Sequence, residues 1–399
     1  MGNALISRRG GGYAKIKFEN YNTDTILTRM SPPPTQMSAG RYNLAATTVG
    51  NYALFAGGND SALIDTYDSN LTHSTSISLS QARKFLAGAT IGNYALFAGG
   101  SYPANTSLTT VDAYNTSLTR STPTPLSVAR SSLAGTTVGN YALFAGGLLY
   151  GFDPNSTKYS TVDAYNTSLT RSTPTPLSVA RGTENSATTV GNYALFGSGV
   201  NYGGKIDAYN SSLTLVSTLT LSTDRTGYSA TTVGNYALFG GGTIANGYLS
   251  VVEGYDSSLT QIFPTSLSIA RAHLCATSVG GYAIFAGGNG VDNDSSAIFS
   301  IVDTYDTSLI RGLATPLSNS RYLAKGTSVG DYAIISGGHT GSISNTVDVY
   351  LKGAEFFVYP ESRYKFQNME FEGVSTSYKT IQFPVPATGY IKFKNTTMQ

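Results

Sequence analysis

The sequence predicts an all-β protein built from seven copies of one four-stranded unit. Near-copies of the phrase GNYALFAGG recur along the chain, centred on Tyr52, Tyr94, Tyr141, Tyr193, Tyr236, Tyr282 and Tyr332. Successive centres lie 42, 47, 52, 43, 46 and 50 residues apart by subtraction, a length that four short strands and their turns would fill. No part of a unit has helical periodicity, so each unit is expected to be antiparallel sheet.

One unit, beginning at Arg130, shows the expected strands in order. A strand of small residues ends at Gly139, where a Gly-Asn pair favours a turn. The apolar run 141–147 predicts a strand buried on both faces, and its Gly-Gly doublet allows neighbouring backbones to approach closely. A loop of variable length then leads to a third strand, expected at 161–165, and a fourth, expected at 167–171.

The two ends of the repeat region predict how the units join. Each unit opens with an arginine, at Arg41, Arg83, Arg130, Arg181, Arg225, Arg271 and Arg321. The last unit has a third strand at 346–350 but no fourth strand behind it, and residues 23–30 supply an unpaired strand before the first unit. Pairing these two in one sheet would leave no open sheet edge between the first and last units. The sequence therefore predicts a seven-bladed β-propeller over residues 20–351.

The unit resembles the kelch repeat in its Gly-Gly doublet, its Tyr-Asp or Tyr-Asn turn and the arginine before the next unit. Kelch repeats usually carry a Trp after the Tyr, and this chain has none. Leucines stand in its place, namely Leu71, Leu118, Leu169, Leu213, Leu259 and Leu309. The resemblance is therefore to a divergent, Trp-less branch of bacterial and phage proteins, including tail-associated ones.

The chain ends differ from the repeats. Residues 1–19 are interpreted as a leader or attachment segment without the apolar core of a signal peptide. Residues 352–399 hold ten charged residues in 48, against 38 in the preceding 351, and their alternating runs predict a small β-rich unit, which the strand pattern of 13–21 also fits. Two interpretations of this unit stay open, a structural cap and a docking surface for other virion proteins or for a homo-oligomer.

Composition and motifs argue against several functions. Only 12% of residues are charged and the net charge is +2, so neither nucleic-acid binding nor membrane insertion is expected. No cofactor or metal site is expected, because His73, His273 and His339 lie in different units, where each is expected to be a solvated loop residue. The single Cys275 is expected to be a small buried residue.

Acidic residues recur in register with the arginines. Each lies two residues before the Tyr at the end of the predicted third strand. They are Asp65, Asp112, Asp163, Asp207, Glu253, Asp303 and Asp348. Seven equivalent acids and seven equivalent arginines indicate one repeated polar contact between neighbouring blades rather than a catalytic pair. The chain is therefore expected not to be an enzyme.

Binding residues are sought where the copies differ, because the shared residues build the blade. The first variable segment is the few residues after each repeat arginine, which should surround one mouth of the central channel. The candidates in it are Tyr42, Asn43, Lys84, Phe85, Glu184, Asn185, Tyr228, His273 and Tyr322. The other is the loop after each Gly-Gly, with candidates Tyr102, Tyr150, Tyr202 and Tyr248. Aromatic and amide side chains on a rigid scaffold suit a polar, uncharged ligand such as a glycan.

These features favour a non-enzymatic binding module on a phage or prophage virion, either a tail fibre or a receptor-binding protein, that recognises a bacterial surface glycan or protein. Such a protein would be assembled in the cytoplasm of the bacterial host. Two alternatives stay open: an intracellular kelch-type scaffold for protein–protein interaction, and a structural virion decoration protein with no receptor.

Overall fold

The computed structural model describes residues 4–8, 12–16, 27–103, 105–149, 156–182, 186–197, 203–292, 295–352 and 370–371. The chain divides into two compact units, one of residues 29–351 and one of the two chain ends, residues 1–28 and 352–399. The described residues form strands, turns and loops and include no helix. No helix capable of crossing a membrane is therefore found in this part of the chain.

The strands are numbered in chain order. Those before the first complete blade are β1 (Ala4–Arg8), β2 (Gly12–Ile16) and β3 (Leu27–Arg29). The first three blades contain β4 (Ala45–Val49), β5 (Tyr52–Ala56), β6 (Ile64–Asp68), β7 (His73–Thr75), β8 (Ala87–Ile91), β9 (Tyr94–Ala98), β10 (Val111–Asn115), β11 (Arg120–Ser121), β12 (Ala134–Val138), β13 (Tyr141–Ala145), β14 (Val162–Asn166) and β15 (Arg171–Ser172).

The remaining strands follow in the same way. Blades four and five contain β16 (Ala187–Val190), β17 (Tyr193–Phe196), β18 (Lys205–Asn210), β19 (Leu215–Thr220), β20 (Ser229–Val233), β21 (Tyr236–Gly240), β24 (Val252–Asp256) and β25 (Gln261–Ile262), with a hairpin of β22 (Thr243–Ile244) and β23 (Gly247–Tyr248). The rest are β26 (Cys275–Val279), β27 (Tyr282–Ala286), β28 (Asn289–Asp292), β29 (Ser295–Ile298), β30 (Val302–Tyr305), β31 (Arg311–Leu313), β32 (Lys325–Val329), β33 (Tyr332–Ser336), β34 (Val347–Lys352) and β35 (Glu370–Phe371).

Seven four-stranded sheets form the blades of a closed ring. The first strand of each blade contacts the first strands of both neighbouring blades, and β32 of the seventh blade contacts β4 of the first. The seventh sheet has the order β3-β34-β33-β32, so its outer strand comes from the N-terminal side. Within it, the Met30 amide donates a hydrogen bond to the Val349 carbonyl (2.7 Å). The predicted seven-bladed β-propeller and its closure are both confirmed.

The third blade shows why the repeated phrase folds in this way. Residues 134–138 pair with 141–145 around the Gly139 turn, where φ is +51°. The second strand, β13, is half-buried at Tyr141 and buried over the rest of its length, as expected for a strand covered on both faces. Each core lies between two blades; for example, Leu96 of the second blade packs in one cluster with Phe144 and Tyr165 of the third. The blades are therefore stabilised by their neighbours.

The Gly-Gly doublet is required by close backbone contact, as predicted. Gly99 and Gly100 have positive φ, and Cβ atoms built on them would lie 2.6 Å from the Arg130 carbonyl oxygen and 2.8 Å from that of Lys84. No side chain fits at those distances. The doublet therefore joins its own blade to the connector that leads into the next.

Each repeat arginine forms a buried ion pair with the acid on the third strand of the blade that it precedes. The six pairs with ordinary distances are Arg83–Asp112 (2.8 Å), Arg130–Asp163 (2.9 Å), Arg181–Asp207 (2.8 Å), Arg225–Glu253 (2.6 Å), Arg271–Asp303 (2.8 Å) and Arg321–Asp348 (2.8 Å), and Arg41 pairs with Asp65. The repeated polar contact is confirmed, but the two side chains belong to one unit of the repeat. The link between blades runs instead through the arginine backbone, as where the Gly100 amide donates to the Arg130 carbonyl (3.0 Å).

A serine three residues before each arginine completes this contact. It lies at Ser38, Ser80, Ser127, Ser178, Ser222, Ser268 and Ser318. In the third blade, the amide and hydroxyl of Ser127 both donate to the Asp163 carboxylate, the hydroxyl at 3.1 Å. A buried carboxylate needs several donors to offset its lost hydration. The motif Ser-x-x-Arg was visible in the sequence, and our sequence interpretation used only its arginine.

The fourth strand is shorter than predicted. In the third blade it begins at Arg171, not at 167, because Leu169 has a φ of +59° and belongs to the turn. The Asn166 side chain holds this turn by accepting hydrogen bonds from the amides of Ser168 and Thr170. The leucine packs against the core shared with the preceding blade. Leu169 therefore occupies an apolar position at the place where a kelch repeat usually has Trp, although its backbone is left-handed.

The unit formed by the chain ends contains a three-stranded sheet with the order β2-β1-β35. Strand β1 pairs with β2 from Ala4 opposite Ile16 to Arg8 opposite Gly12, and with β35 at Ile6 opposite Phe371. Residues from both ends of the chain thus share one sheet. The other strands expected in 352–399 lie outside the described residues.

Candidate functional site

The residue two places after each repeat arginine surrounds one mouth of the central channel. In the described blades these residues are Asn43, Phe85, Ser132, Gly227, His273 and Leu323, and all six have a φ between +52° and +64°. Their backbones follow one another around the ring; the Ser132 amide donates to the Phe85 carbonyl (2.9 Å) and the Leu323 amide to the His273 carbonyl (3.0 Å). The six residues, called the mouth ring below, line a cavity of about 50 Å³.

In five of the described blades, the residue directly after the arginine pairs with the residue directly after the Gly-Gly doublet. Tyr322 and His339 exchange two backbone hydrogen bonds (3.2 and 2.9 Å). The same antiparallel bridge joins Lys84 to Ser101, Ser131 to Leu148, Thr226 to Thr243 and Ala272 to Asn289. In the first blade, the Tyr42 amide instead donates to the Asn59 side chain (3.2 Å). These bridges hold two variable side chains per blade side by side at the mouth.

Aromatic and imidazole rings are in continuous contact over three blades at this mouth. The His339 ring lies edge-on to Tyr42 with 5.6 Å between ring centroids, and 5.4 Å from the Tyr322 ring. Tyr322 lies in turn 6.4 Å from the His273 ring. All four side chains are half-buried, so each ring keeps part of its surface open to a ligand.

Two polar side chains extend the row of rings to the fifth blade. Nδ1 of His273 is 2.9 Å from Oδ1 of Asn289, and Nδ2 of Asn289 donates to the Tyr248 hydroxyl (3.3 Å). The six residues Tyr42, His339, Tyr322, His273, Asn289 and Tyr248 are called the mouth arc below. The mouth arc combines apolar ring faces with hydrogen-bonding groups, the combination that polar ligands with apolar faces require.

The opposite side of the mouth has a different character. Lys84 forms an ion pair with Asp60 (3.2 Å) and lies 5.8 Å from the centre of the Phe85 ring. Towards the third blade the side chains are small and buried at Ser131 and Ser132. Among the described residues, ring stacking is therefore concentrated on the first, sixth and seventh blades.

Several residues predicted for the site are not part of the mouth arc. Tyr228 is only 2% exposed; its ring packs edge-on to Phe239 and lies 5.4 Å from the Arg225 guanidinium. Tyr228 therefore borders the mouth cavity with little exposed surface, at the third place after the arginine, where Leu86 and Leu133 are also buried in other blades. Tyr102 is half-buried in the loop of the second blade and is not one of the rings in contact at the mouth. The predictions for Tyr150, Glu184, Asn185 and Tyr202 lie outside the described residues.

Two members of the mouth arc were missing from the predicted site, His339 and Asn289. Both directly follow a Gly-Gly doublet, a position that differs in almost every copy, and this variation was the signal available in the sequence. The three histidines, expected to be solvated loop residues, are half-buried. His273 and His339 belong to the mouth arc, and Nε2 of His73 lies 2.7 Å from Asp65 on the first blade.

The inner strands below the mouth line a second cavity of about 160 Å³ with small residues, Leu274 and Lys325. Cys275 is 4% exposed at this level, and burial raises the pKa of its thiol to about 12, which favours the neutral thiol over the nucleophilic thiolate. Over the described part of the chain, no three His, Cys, Asp or Glu side chains come together as a metal site would require. The seven register acids are fully buried against arginines.

Comparisons with known proteins give information about the fold and not about the function. No protein-family model matches the chain, and no curated protein matches its sequence. Among solved structures, the chain is similar to one described as "Structure of YjhT", with a TM-score of 0.54 and 10% sequence identity over 83% of this chain and 98% of that one. At this identity, the similarity shows that the two proteins share the β-propeller fold.

Proposed function

We propose that this protein is a non-enzymatic binding module whose ligand docks on the mouth arc. One observation carries the proposal: four rings from three blades touch in sequence at a channel mouth, and each keeps part of its surface open. A rigid ring that presents unlike side chains at one end is a common way to build a binding site. The repeated charges lie in buried pairs, which leaves the variable mouth as the place where function can differ.

The side chains favour a polar ligand with apolar faces. Tyrosine and imidazole rings stack on the face of a sugar ring, while the Asn289 amide and the Tyr248 hydroxyl can hydrogen-bond to its hydroxyl groups. Lys325 is the one charged side chain among the described residues lining the mouth cavity. A bacterial surface glycan is therefore the proposed ligand, and a protein surface is the second candidate.

Binding of the purified protein to intact bacterial cells and to an array of neutral surface glycans would test this proposal. We expect saturable binding that Tyr322→Ala weakens about tenfold, the size expected for loss of one aromatic contact. The matched control is Tyr102→Ala, the same substitution outside the mouth arc. Thermal unfolding would establish that both variants fold. Absence of binding, or equal loss in both variants, would contradict the proposal.

We also propose that this binding module belongs to a phage or prophage virion. The support is indirect: a chain rich in uncharged polar residues and near-identical repeats, with little charge on the ring. Copurification with virions would support the assignment, whereas copurification with host proteins in a virion-free cell would favour the intracellular scaffold. The terminal unit is proposed to attach the propeller to other virion proteins.

The blades are proposed to be divergent kelch repeats. The Gly-Gly doublet, the tyrosine on the third strand and the connector arginine support this relation. A leucine with positive φ occupies the turn in each of the first six blades, where a kelch Trp would be expected. A set of homologous sequences with intermediate repeats that carry Trp at this position would test the relation.

A further inference from the structure

The hydrogen bonds around His339 determine which of its ring nitrogens carries the proton. Its Nδ1 accepts a hydrogen bond from the Gly341 amide (3.1 Å). A backbone amide can only donate, so Nδ1 is unprotonated and the neutral ring carries its proton on Nε2. His339 therefore offers a donor, Nε2–H, from the edge of the ring that is not used by its own turn.

His273 has the opposite arrangement. Its Nδ1 faces the side-chain oxygen of Asn289, Oδ1, and the side-chain nitrogen of Asn289, Nδ2, donates to the Tyr248 hydroxyl. With the side-chain oxygen of Asn289 as the acceptor, the proton is on Nδ1 and Nε2 is an acceptor. The Nε2 atom lies beside Gly227, where a built Cβ would be only 3.2 Å away. The glycine thus leaves room for this acceptor edge.

We propose that the mouth arc recognises a neutral sugar ring through one donor and one acceptor placed on either side of Tyr322. His339 Nε2–H is the donor and His273 Nε2 is the acceptor, while the Tyr322 ring contacts both imidazoles. Sugar hydroxyl groups, or an N-acyl amide on the ring, supply the matching acceptor and donor. This inference rests on the proposed function and specifies the chemistry of the same site.

Acid should abolish this pattern. Protonated His339 would place an N–H against the Gly341 amide, and protonated His273 would replace its acceptor with a donor. The other titratable or charged groups around the two rings are Tyr42 and Tyr322, whose rings contact them, Tyr248, which Asn289 links to His273, and Lys325 lining the mouth cavity. Sugar binding is therefore strongest with both imidazoles neutral.

The proton positions can be measured without any ligand. The chain contains three histidines, so a ¹⁵N-edited NMR spectrum of the imidazoles at pH 8 should be simple, and the variant His73→Gln removes the one outside the mouth. We expect one remaining ring protonated on Nε2 and the other on Nδ1, with His339→Gln assigning the Nε2–H signals. Two rings with the same proton position would overturn the inference.

Binding measurements then test the role of the two rings, using a neutral glycan that binds at pH 8. We expect wild-type affinity to fall about tenfold at the acidic pH where the NMR spectrum shows both imidazoles protonated. His339→Phe keeps a ring between Tyr42 and Tyr322 but lacks the donor, and should lose about fivefold to tenfold at pH 8. The double variant His273→Gln with His339→Gln offers uncharged donors and acceptors and should lose most of the pH dependence.

The outcomes separate the two proposals. If glycans with and without N-acyl groups bind at pH 8, unaffected by acid or by His339→Phe, this inference fails and the binding module stands. If no glycan binds at any pH, the proposed function fails, while the NMR spectrum still tests the proton positions. Preference between the two kinds of glycan identifies whether the amide or the hydroxyl groups make the contact.

Discussion

The second and third blades differ from the sixth and seventh at the mouth and hardly at all in their scaffold. Within the first pair of blades, residues 111–130 and 162–181 are identical in sequence. The third and seventh blades contain the same kind of buried arginine–acid pair. At the mouth, the second blade carries Lys84 and Phe85 and the third carries Ser131 and Ser132, whereas the sixth and seventh carry the rings of His273 and Tyr322. The comparison teaches that the residues shared by all blades stabilise the fold. The proposed binding chemistry uses the positions that vary between blades, which the fold does not require to be one residue type.

High pH should unfold both regions together. Burial raises the pKa of the repeat tyrosines, namely Tyr67, Tyr114, Tyr165, Tyr209, Tyr255, Tyr305 and Tyr350. The folded protein then holds more protons than the unfolded chain above about pH 10, where free tyrosine ionises, so the tyrosines' contribution to stability is complete below that pH and is lost as pH rises above it. Urea unfolding followed by circular dichroism from pH 8 to 11.5 should show one transition that weakens progressively. Two separate transitions would show that the regions are independent.

Breaking one buried ion pair should destabilise either region equally. Arg130→Met in the third blade and Arg321→Met before the seventh each leave a fully buried carboxylate without its main partner. The expected loss is about 3–5 kcal/mol in the free energy of unfolding, measured by urea denaturation.

The matched control adds Asp163→Asn to Arg130→Met, which removes the unpaired charge and should recover part of the loss. A loss below about 1 kcal/mol would mean that the pair is not important for stability. A large difference between the two single variants would show that the two regions do not share one scaffold.

The identical segments of the second and third blades allow a finer comparison. The Tyr165 hydroxyl donates to the Thr124 carbonyl (2.8 Å), whereas the Tyr114 hydroxyl makes no such bond to a backbone carbonyl and lies near Arg120. Tyr165→Phe should therefore cost about 1 kcal/mol, and Tyr114→Phe should cost less. Thermal unfolding of the two variants would measure the difference, and equal costs would show that the Thr124 bond adds nothing.

Repetition made the fold predictable, and variation made only part of the site predictable. The spacing of the phrase and the unpaired end strands predicted seven blades and their closure. The same comparison of copies pointed to Tyr42, His273 and Tyr322, but it also selected Tyr228, which is buried. Sequence variation cannot distinguish an exposed from a buried variable position, because the direction of a side chain depends on the left-handed backbone at the mouth ring.

The sequence by itself determined the number of blades, the glycine doublets and the arginine–acid register, because each depends on contacts repeated within a unit or between adjacent units. The tertiary structure alone decided which variable residues become neighbours. Tyr42 reaches His339 only because the ring closes, and no local pattern connects positions so far apart in the chain. The proton positions of the two imidazoles likewise depend on Gly341 and Asn289, which the turn after the doublet and the bridge across the blade bring to them.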